Sequence, residues 1–374
     1  MKHSTSARAA ALACAVLMTT TGLTAPAAAT PRLGDVQAAL EALAANAGVV
    51  GAIGEVYVDG KRAGQGSAGS RLLDGEGGRI PADSRFRIGS QTKRMTATIV
   101  LQLVEEGRLG LEDKLADVLP EVVAQDAVER AGEITVRQLI RHTSGIPNWF
   151  DPALVDIYDT TTYIPPMDLV KKSRSRPRTG EPGEKFTYSN TNYTLLGMII
   201  ERVTGHALAA EFSRRLFAPL KMSRTYLPAR PPQGIKGPHG HGYHTDAQGV
   251  RHDMHRLNAS YGNGAGGVVS TARDVSAFSR AFQQGRLLPA DLQRVITDPP
   301  DNAPAPPPPS ERLCGGEPAL QAQAGGAPGF NAVTFTTSDG RLQFALSVTT
   351  STDSPLAISR AINGAAEAVI CPGR

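Results

Sequence analysis

Strand-forming segments stand at both ends of this 374-residue chain, and helical, loop-rich sequence lies between them. Residues 333–337 and 342–348 alternate in polarity around Asp339-Gly340, a dipeptide suited to the positive φ values of a tight hairpin turn. Residues 49–58 are apolar and β-branched and stop at Asp59-Gly60, which predicts a strand closing in a turn after a helix over 36–45. A short strand over 86–89 feeds Ser90, after which Met95, Ile99, Val100, Leu103 and Val104 form the apolar stripe of a buried helix. Helical spacing returns at 136–140, 195–203, 271–282 and 288–296, and a terminal helix is expected over 355–369. The Pro/Ala run 299–309 reads as stiff, extended loop. The pattern predicts a mixed α/β fold: a sheet flanked by helices and completed by the C terminus, with an all-α lobe inserted. The expected division is an α/β lobe from about 30–90 and 325–374, and a mainly helical lobe from about 91–324.

Residues 1–29 read as a secretory signal peptide: Lys2 and Arg8 in front, an apolar stretch over 9–18, and Ala27-Ala28-Ala29 as a small-residue cleavage site before Thr30. The expected mature protein, 30–374, is extracellular. It exceeds the ~250–300 residues at which one core stops growing, so a single domain of two lobes is expected. The apolar stretch is shorter than the ~20 residues of a membrane span, which argues against stable membrane insertion. Lys and Arg total 39 against 35 Asp and Glu, and no dense basic block marks a nucleic-acid footprint. With Cys14 inside the leader, Cys314 and Cys371 remain as an even pair in a chain bound for an oxidising compartment. One bridge is the first reading, and two buried thiols the alternative.

Ser90-Gln91-Thr92-Lys93 opens the helix after the 86–89 strand. Residues three apart share a helix face, so a Lys93 amine depressed in pKa by burial could take the Ser90 proton during attack. Tyr188-Ser189-Asn190 precedes another helix and offers a phenol for proton relay and an amide to orient the lysine. Ahead of the hairpin, Gln323-Ala324-Gly325-Gly326-Ala327-Pro328-Gly329 could let backbone approach a ligand and supply an N–H to an oxyanion.

With Ser90, Lys93, Tyr188 and Asn190 in this order, the chain resembles the penicillin-recognising serine hydrolases, a beta-lactamase/transpeptidase-like group. Within them it looks most like the secreted D-alanyl-D-alanine carboxypeptidases of actinomycetes. The likeness runs from about residue 38 to Cys371, takes in His142-Thr143-Ser144-Gly145, and includes the two cysteines, which match a family disulfide. It implies an antiparallel sheet, Ser90 as nucleophile, Lys93 and Tyr188 as proton carriers and Asn190 as their orienter. The N–H groups of Ser90 and of Gly326 or Ala327 would form the oxyanion hole. Trp149, Tyr261, Gln323, Ala324 and Gly325 would line the cleft, and His142 would be architectural.

The third motif departs from the family's His-Thr-Gly, since Gln323-Ala324-Gly325 or Ala324-Gly325-Gly326 stands there. The arginine that grips a terminal carboxylate falls in the 306–309 run, with Arg312 off register. The expected function is a secreted acyl hydrolase resembling a D,D-carboxypeptidase. One alternative is an esterase, amidase or acyltransferase acting on a neutral metabolite, and another is a non-catalytic penicillin-binding-like module. The expected partners are a small peptide, ester or amide, with cell-wall peptide among the candidates, and the expected state is a monomer. No cofactor is expected. The run His239, His241, His244, His252 and His255 lacks the His-Glu-x-x-His arrangement and reads as solvated loop, so no metal is expected.

Overall fold

In the computed structural model, which describes residues 31–299, 308, 311–352 and 355–373, the two ends of the chain meet in one five-stranded antiparallel sheet. The leader expected over 1–29 and nearly all of the 299–309 run lie outside the described residues. In chain order the first elements are α1 (Val36–Ala44), β1 (Val49–Val58), β2 (Lys61–Gly69), β3 (Phe86–Arg87) and α2 (Thr92–Glu105). The central part holds α3 (Leu115–Val118), α4 (Glu121–Ala124), α5 (Val136–Ile140), α6 (Pro166–Arg174), α7 (Asn190–Thr204) and α8 (Leu208–Phe212). Then come β4 (Tyr243–Thr245), β5 (Arg251–Asp253), α9 (Ala259–Gly266), β6 (Val269–Ser270), α10 (Ala272–Gln283) and α11 (Ala290–Thr297). The chain closes with β7 (Leu320–Ala327), β8 (Phe330–Thr337), β9 (Leu342–Thr350) and α12 (Pro355–Ile370).

The sheet order is β2-β1-β9-β8-β7. Its central strands β1 and β9 are the most apolar, as burial on both faces requires. Side chains alternate between two cores. One face places Val56, Phe335, Phe344, Leu346 and Val348 against Leu40 and Leu43 of α1 and Ile362 and Val369 of α12. The other places Ile53, Ala332 and Ala345 into the larger core of the helical segment, with Met95, Ile99 and Leu103 of α2. Arg32–Arg374 forms one compact unit.

Two strands differ from expectation. β3 does not join the main sheet: it pairs with β6, and Phe86 and Ile88 belong to the helical core. β7 lies where the sequence shows a glycine-rich approach to the hairpin, and it carries the sheet back to Leu320, five residues before the expected lobe boundary. Its Ala/Gly sequence has little strand preference, so the extended form is imposed by eight paired positions along β8. The cysteines form a disulfide, Cys314–Cys371, with Cα atoms 5.8 Å apart, tying the segment before β7 to the end of α12.

Candidate active site

Ser90 sits in a single 3-10 turn, Gly89–Gln91, between β3 and α2, rather than in the helix itself. Three contacts fix that turn. Gln91 accepts from the Thr334 hydroxyl on β8 at 2.8 Å, Ile88 N–H donates to Val268 O at 3.1 Å, and Val268 N–H donates to Thr92 Oγ1 at 3.2 Å. Gly89 holds φ +53°, and a Cβ there would lie 2.7 Å from Gly326 N. The turn therefore presses flat against the edge strand β7, and glycine is required on both sides of the contact. A Cβ on Gly325 would stand 2.0 Å from Ile88 O and 2.7 Å from Ser90 N.

The Lys93 side chain is buried, and its Nζ lies 3.2 Å from Ser90 Oγ, 2.7 Å from Asn190 Oδ1 and 2.6 Å from Ala265 O. Burial lowers its pKa from 10.5 to about 7. In the neutral amine the two N–H groups satisfy the two carbonyl oxygens, which leaves the lone pair for the Ser90 hydroxyl. Asn190, the first residue of α7, is itself oriented by Asn148, whose Oδ1 accepts from Asn190 N at 3.0 Å and from Asn190 Nδ2 at 3.2 Å. Tyr188 OH completes the set at 2.7 Å from Ser90 Oγ. Burial raises the phenol's pKa, and the bond to Ser90 opposes part of that rise, so Tyr188 keeps its proton at neutral pH.

His142 does not reach Ser90. It packs against Tyr188 in a tilted pair with ring centroids 4.7 Å apart, and its Nδ1 accepts from Ser189 N at 3.2 Å. Burial, reinforced by the nearby Lys93 charge, lowers its pKa to about 3, so the ring is neutral. This agrees with an architectural part.

Ser90, Tyr188 and Asn190 open into a cavity of about 250 Å³ whose walls include Trp149, Phe150, Ile157, Leu257, Tyr261, Gly326, Ala327 and Pro328. Trp149 and Tyr261 thus stand in the expected cleft, fixed by Trp149 Nε1–H to Thr194 Oγ1 at 3.0 Å and Tyr261 OH to Asp156 O at 2.8 Å. The placement of Gln323, Ala324 and Gly325 is corrected: they lie outside this lining, and the wall begins at Gly326. The cause is the close packing of β7, which buries Gly325 under Ile88–Ser90 and leaves only the end of the strand facing the cavity. Arg312, off register in the sequence, is also outside the lining.

Three groups at the site have no signature in the sequence. Ala265 O is a backbone atom, delivered to Lys93 by a break in α9 at Asn263, where φ is +29°. Asn148 lies far from Asn190 in sequence, and only the folded loop shows the pair. Arg87 is the one charged side chain in the described lining; it is 8% exposed, donates to His255 O at 3.0 Å and packs over the Phe330 ring. An arginine ending a two-residue strand carries no recognisable pattern.

A family model described as Beta-lactamase matches residues 36–368. The chain belongs to the beta-lactamase family. It is similar to penicillin-binding protein 4 of Amycolatopsis lactamdurans, 30% identical over 272 residues covering 70% of this chain and 66% of that protein. It is also similar to esterase EstB of Burkholderia gladioli, 29% identical over 258 residues covering 61% and 64%. The chain therefore spans just under two thirds of the length of these curated relatives. Among solved structures, a D-stereospecific amidohydrolase from Streptomyces sp. is 30% identical with a TM-score of 0.73, covering 87% of this chain and 97% of that one. The resemblance read from the sequence agrees with these findings at the level of the family.

Proposed function

We propose that the protein is a serine-type acyl hydrolase whose preferred substrates are amides and esters of apolar, D-configured acyl groups, rather than peptides ending in a free carboxylate. The observation that carries the chemistry is Ser90 Oγ held between Lys93 Nζ and Tyr188 OH at the mouth of the cavity. Lys93 takes the hydroxyl proton as Ser90 Oγ bonds to the acyl carbon. The developing oxyanion is received by the N–H groups of Ser90 and of Gly326 or Ala327. Tyr188 OH gives its own proton to the departing nitrogen or oxygen, the Lys93 ammonium beside the Tyr188 ring returns one to the phenolate, and water then releases the acyl group by the reverse transfers.

The preference rests on the walls. They are mainly aromatic and aliphatic, the third-motif hydroxyl and imidazole are missing, and Arg87, the one charged group in the described lining, gives one N–H to His255 O and packs over Phe330. A carboxylate buried there would meet one cation, Arg87, already bonded to His255 O, without the hydroxyl and imidazole that would share its desolvation. Similarity to the Streptomyces amidohydrolase and the Burkholderia esterase supports the same choice over a D,D-carboxypeptidase. The Cys314–Cys371 disulfide supports an oxidising destination, consistent with export by a leader over 1–29. No helix among the described residues is long and apolar enough to cross a membrane.

The test is kcat/KM for D-phenylalanine amide, L-phenylalanine amide, a p-nitrophenyl ester and a D-alanyl-D-alanine peptide. The D-amide and the ester should exceed the D,D-peptide by about one to two orders of magnitude, the value of one missing charged hydrogen bond in the transition state. Fastest turnover of the D,D-peptide would reverse the assignment, and equal turnover of the two amides would remove its stereochemical part.

A further inference from the structure

The histidine-rich segment folds differently from a solvated loop. The β4–β5 hairpin pairs Tyr243 with Asp253 and His244 with His252, so the residues flanking it are brought side by side. His241 Nδ1 lies 2.7 Å from Asp253 Oδ2, and His255 Nδ1 lies 3.0 Å from Asp253 Oδ1. One donor atom from each of these three side chains falls within 4.8 Å of the others. We propose that His241, Asp253 and His255, completed by His239, bind one divalent transition-metal ion of the zinc class.

A second observation concerns the nitrogens. His239 Nδ1 bonds to Gly237 O at 2.7 Å, which makes it the protonated nitrogen and leaves Nε2 with its lone pair. That Nε2 is buried with no hydrogen-bond partner, and the ring stacks on His241 at 5.2 Å. His255 Nδ1 is also buried without a well-angled hydrogen bond. Unsatisfied buried nitrogens carry a cost that coordination would remove.

Three imidazoles and one carboxylate match the N/O preference of zinc, whereas calcium and magnesium require oxygen ligands throughout. Zinc ligands at about 2.0–2.2 Å from the ion stand roughly 3.3 Å apart in a tetrahedron, so the 2.7 and 3.0 Å contacts to Asp253 must open slightly while the wider donor pairs, now within 4.8 Å, close. The His241 and His255 rings, stacked at 4.5 Å and 17°, must turn out of parallel, because the ion lies in the plane of each ring it binds.

The backbone around these side chains is held by hydrogen bonds. His241 N–H donates to Arg71 O, Met254 N–H donates to Gly242 O, and His255 O accepts from Arg87. Residues 257–261 continue from His255 into the cavity wall, so a bound ion would pin the loop behind that wall without touching Ser90.

The experiment is equilibrium dialysis of the untagged protein with Zn²⁺ alone, followed by thermal unfolding with and without it. One ion per chain with a Kd of about 1 μM or tighter is expected, with a rise in midpoint. The double variant His241→Ala/His255→Ala should bind at least about 100-fold more weakly. His252→Ala, in the neighbouring pair with Asp246, should bind as the parent does. If the double variant does not fold, Co²⁺ in the parent protein decides, through the visible absorption and nitrogen hyperfine coupling of an imidazole-ligated site. Unchanged affinity in the folded double variant, a Co²⁺ spectrum without imidazole, or no saturable zinc binding below about 1 mM would overturn the proposal. None of these readouts uses hydrolysis, so the site stands or falls apart from the proposed activity.

Discussion

Burial takes the charge from Lys93 near neutral pH and leaves a lone pair beside the Ser90 hydroxyl. The amine is held by Asn190 Oδ1 and Ala265 O, so it cannot swing to water to recover its solvation. If Lys93 is the base, kcat/KM for a neutral ester should rise with pH on a limb centred near 7; a limb absent there would contradict it. The same depression fixes a stability effect. Between about 7 and 10.5 the unfolded chain holds the lysine proton and the folded chain does not, so this group makes the fold more stable as pH rises through that window. Lys93→Met should be inactive yet folded, and its urea midpoint should lack that part of the pH dependence. The serine, lysine, tyrosine and asparagine were legible in the sequence because their side chains recur at fixed offsets near helix starts. Ala265 O and Asn148 were not, because a carbonyl oxygen has no residue code and a partner 42 positions away has no spacing to read.

The element that sets the site is the contact between the Gly89–Gln91 turn and the end of β7. Alternating polarity marks β8 and β9, a β-branched apolar run marks β1, and apolar spacing marks α2 and α7. In β7 the sequence shows only a glycine-rich approach to the ligand, because Ala and Gly carry no clear alternation to mark a strand. The glycines mark how near two backbones come. Gly325→Ala puts a methyl group into Ile88 O and should shift β7 away from Ser90. We expect about a 10–100-fold loss of kcat with a small change in KM and intact secondary structure by circular dichroism, since oxyanion contacts act mainly in the transition state. Wild-type kinetics in this variant would show that β7 does not form the oxyanion hole.

Across the whole molecule, two cores share one sheet, and the catalytic candidates lie where the helical core meets its edge strand. This arrangement was legible in outline because both chain ends carried strands, but the join was not: β3 pairs with β6, and no local pattern discloses a two-residue strand's partner. The disulfide braces the sheet-side core by tying the segment before β7 to α12. Replacing both cysteines with serine should lower unfolding free energy by about 2–4 kcal/mol through the entropy of a long loop, measured by urea titration. Activity at 25 °C should persist, because neither cysteine lines the cavity. Each scale depends on Ser90 being the nucleophile, and the direct measurement is intact and peptide-level mass spectrometry after a fluorophosphonate. One adduct per chain is expected, on Ser90, formed far more slowly in Lys93→Met; an adduct on another residue, or none on folded protein, would show that Ser90 is not the nucleophile.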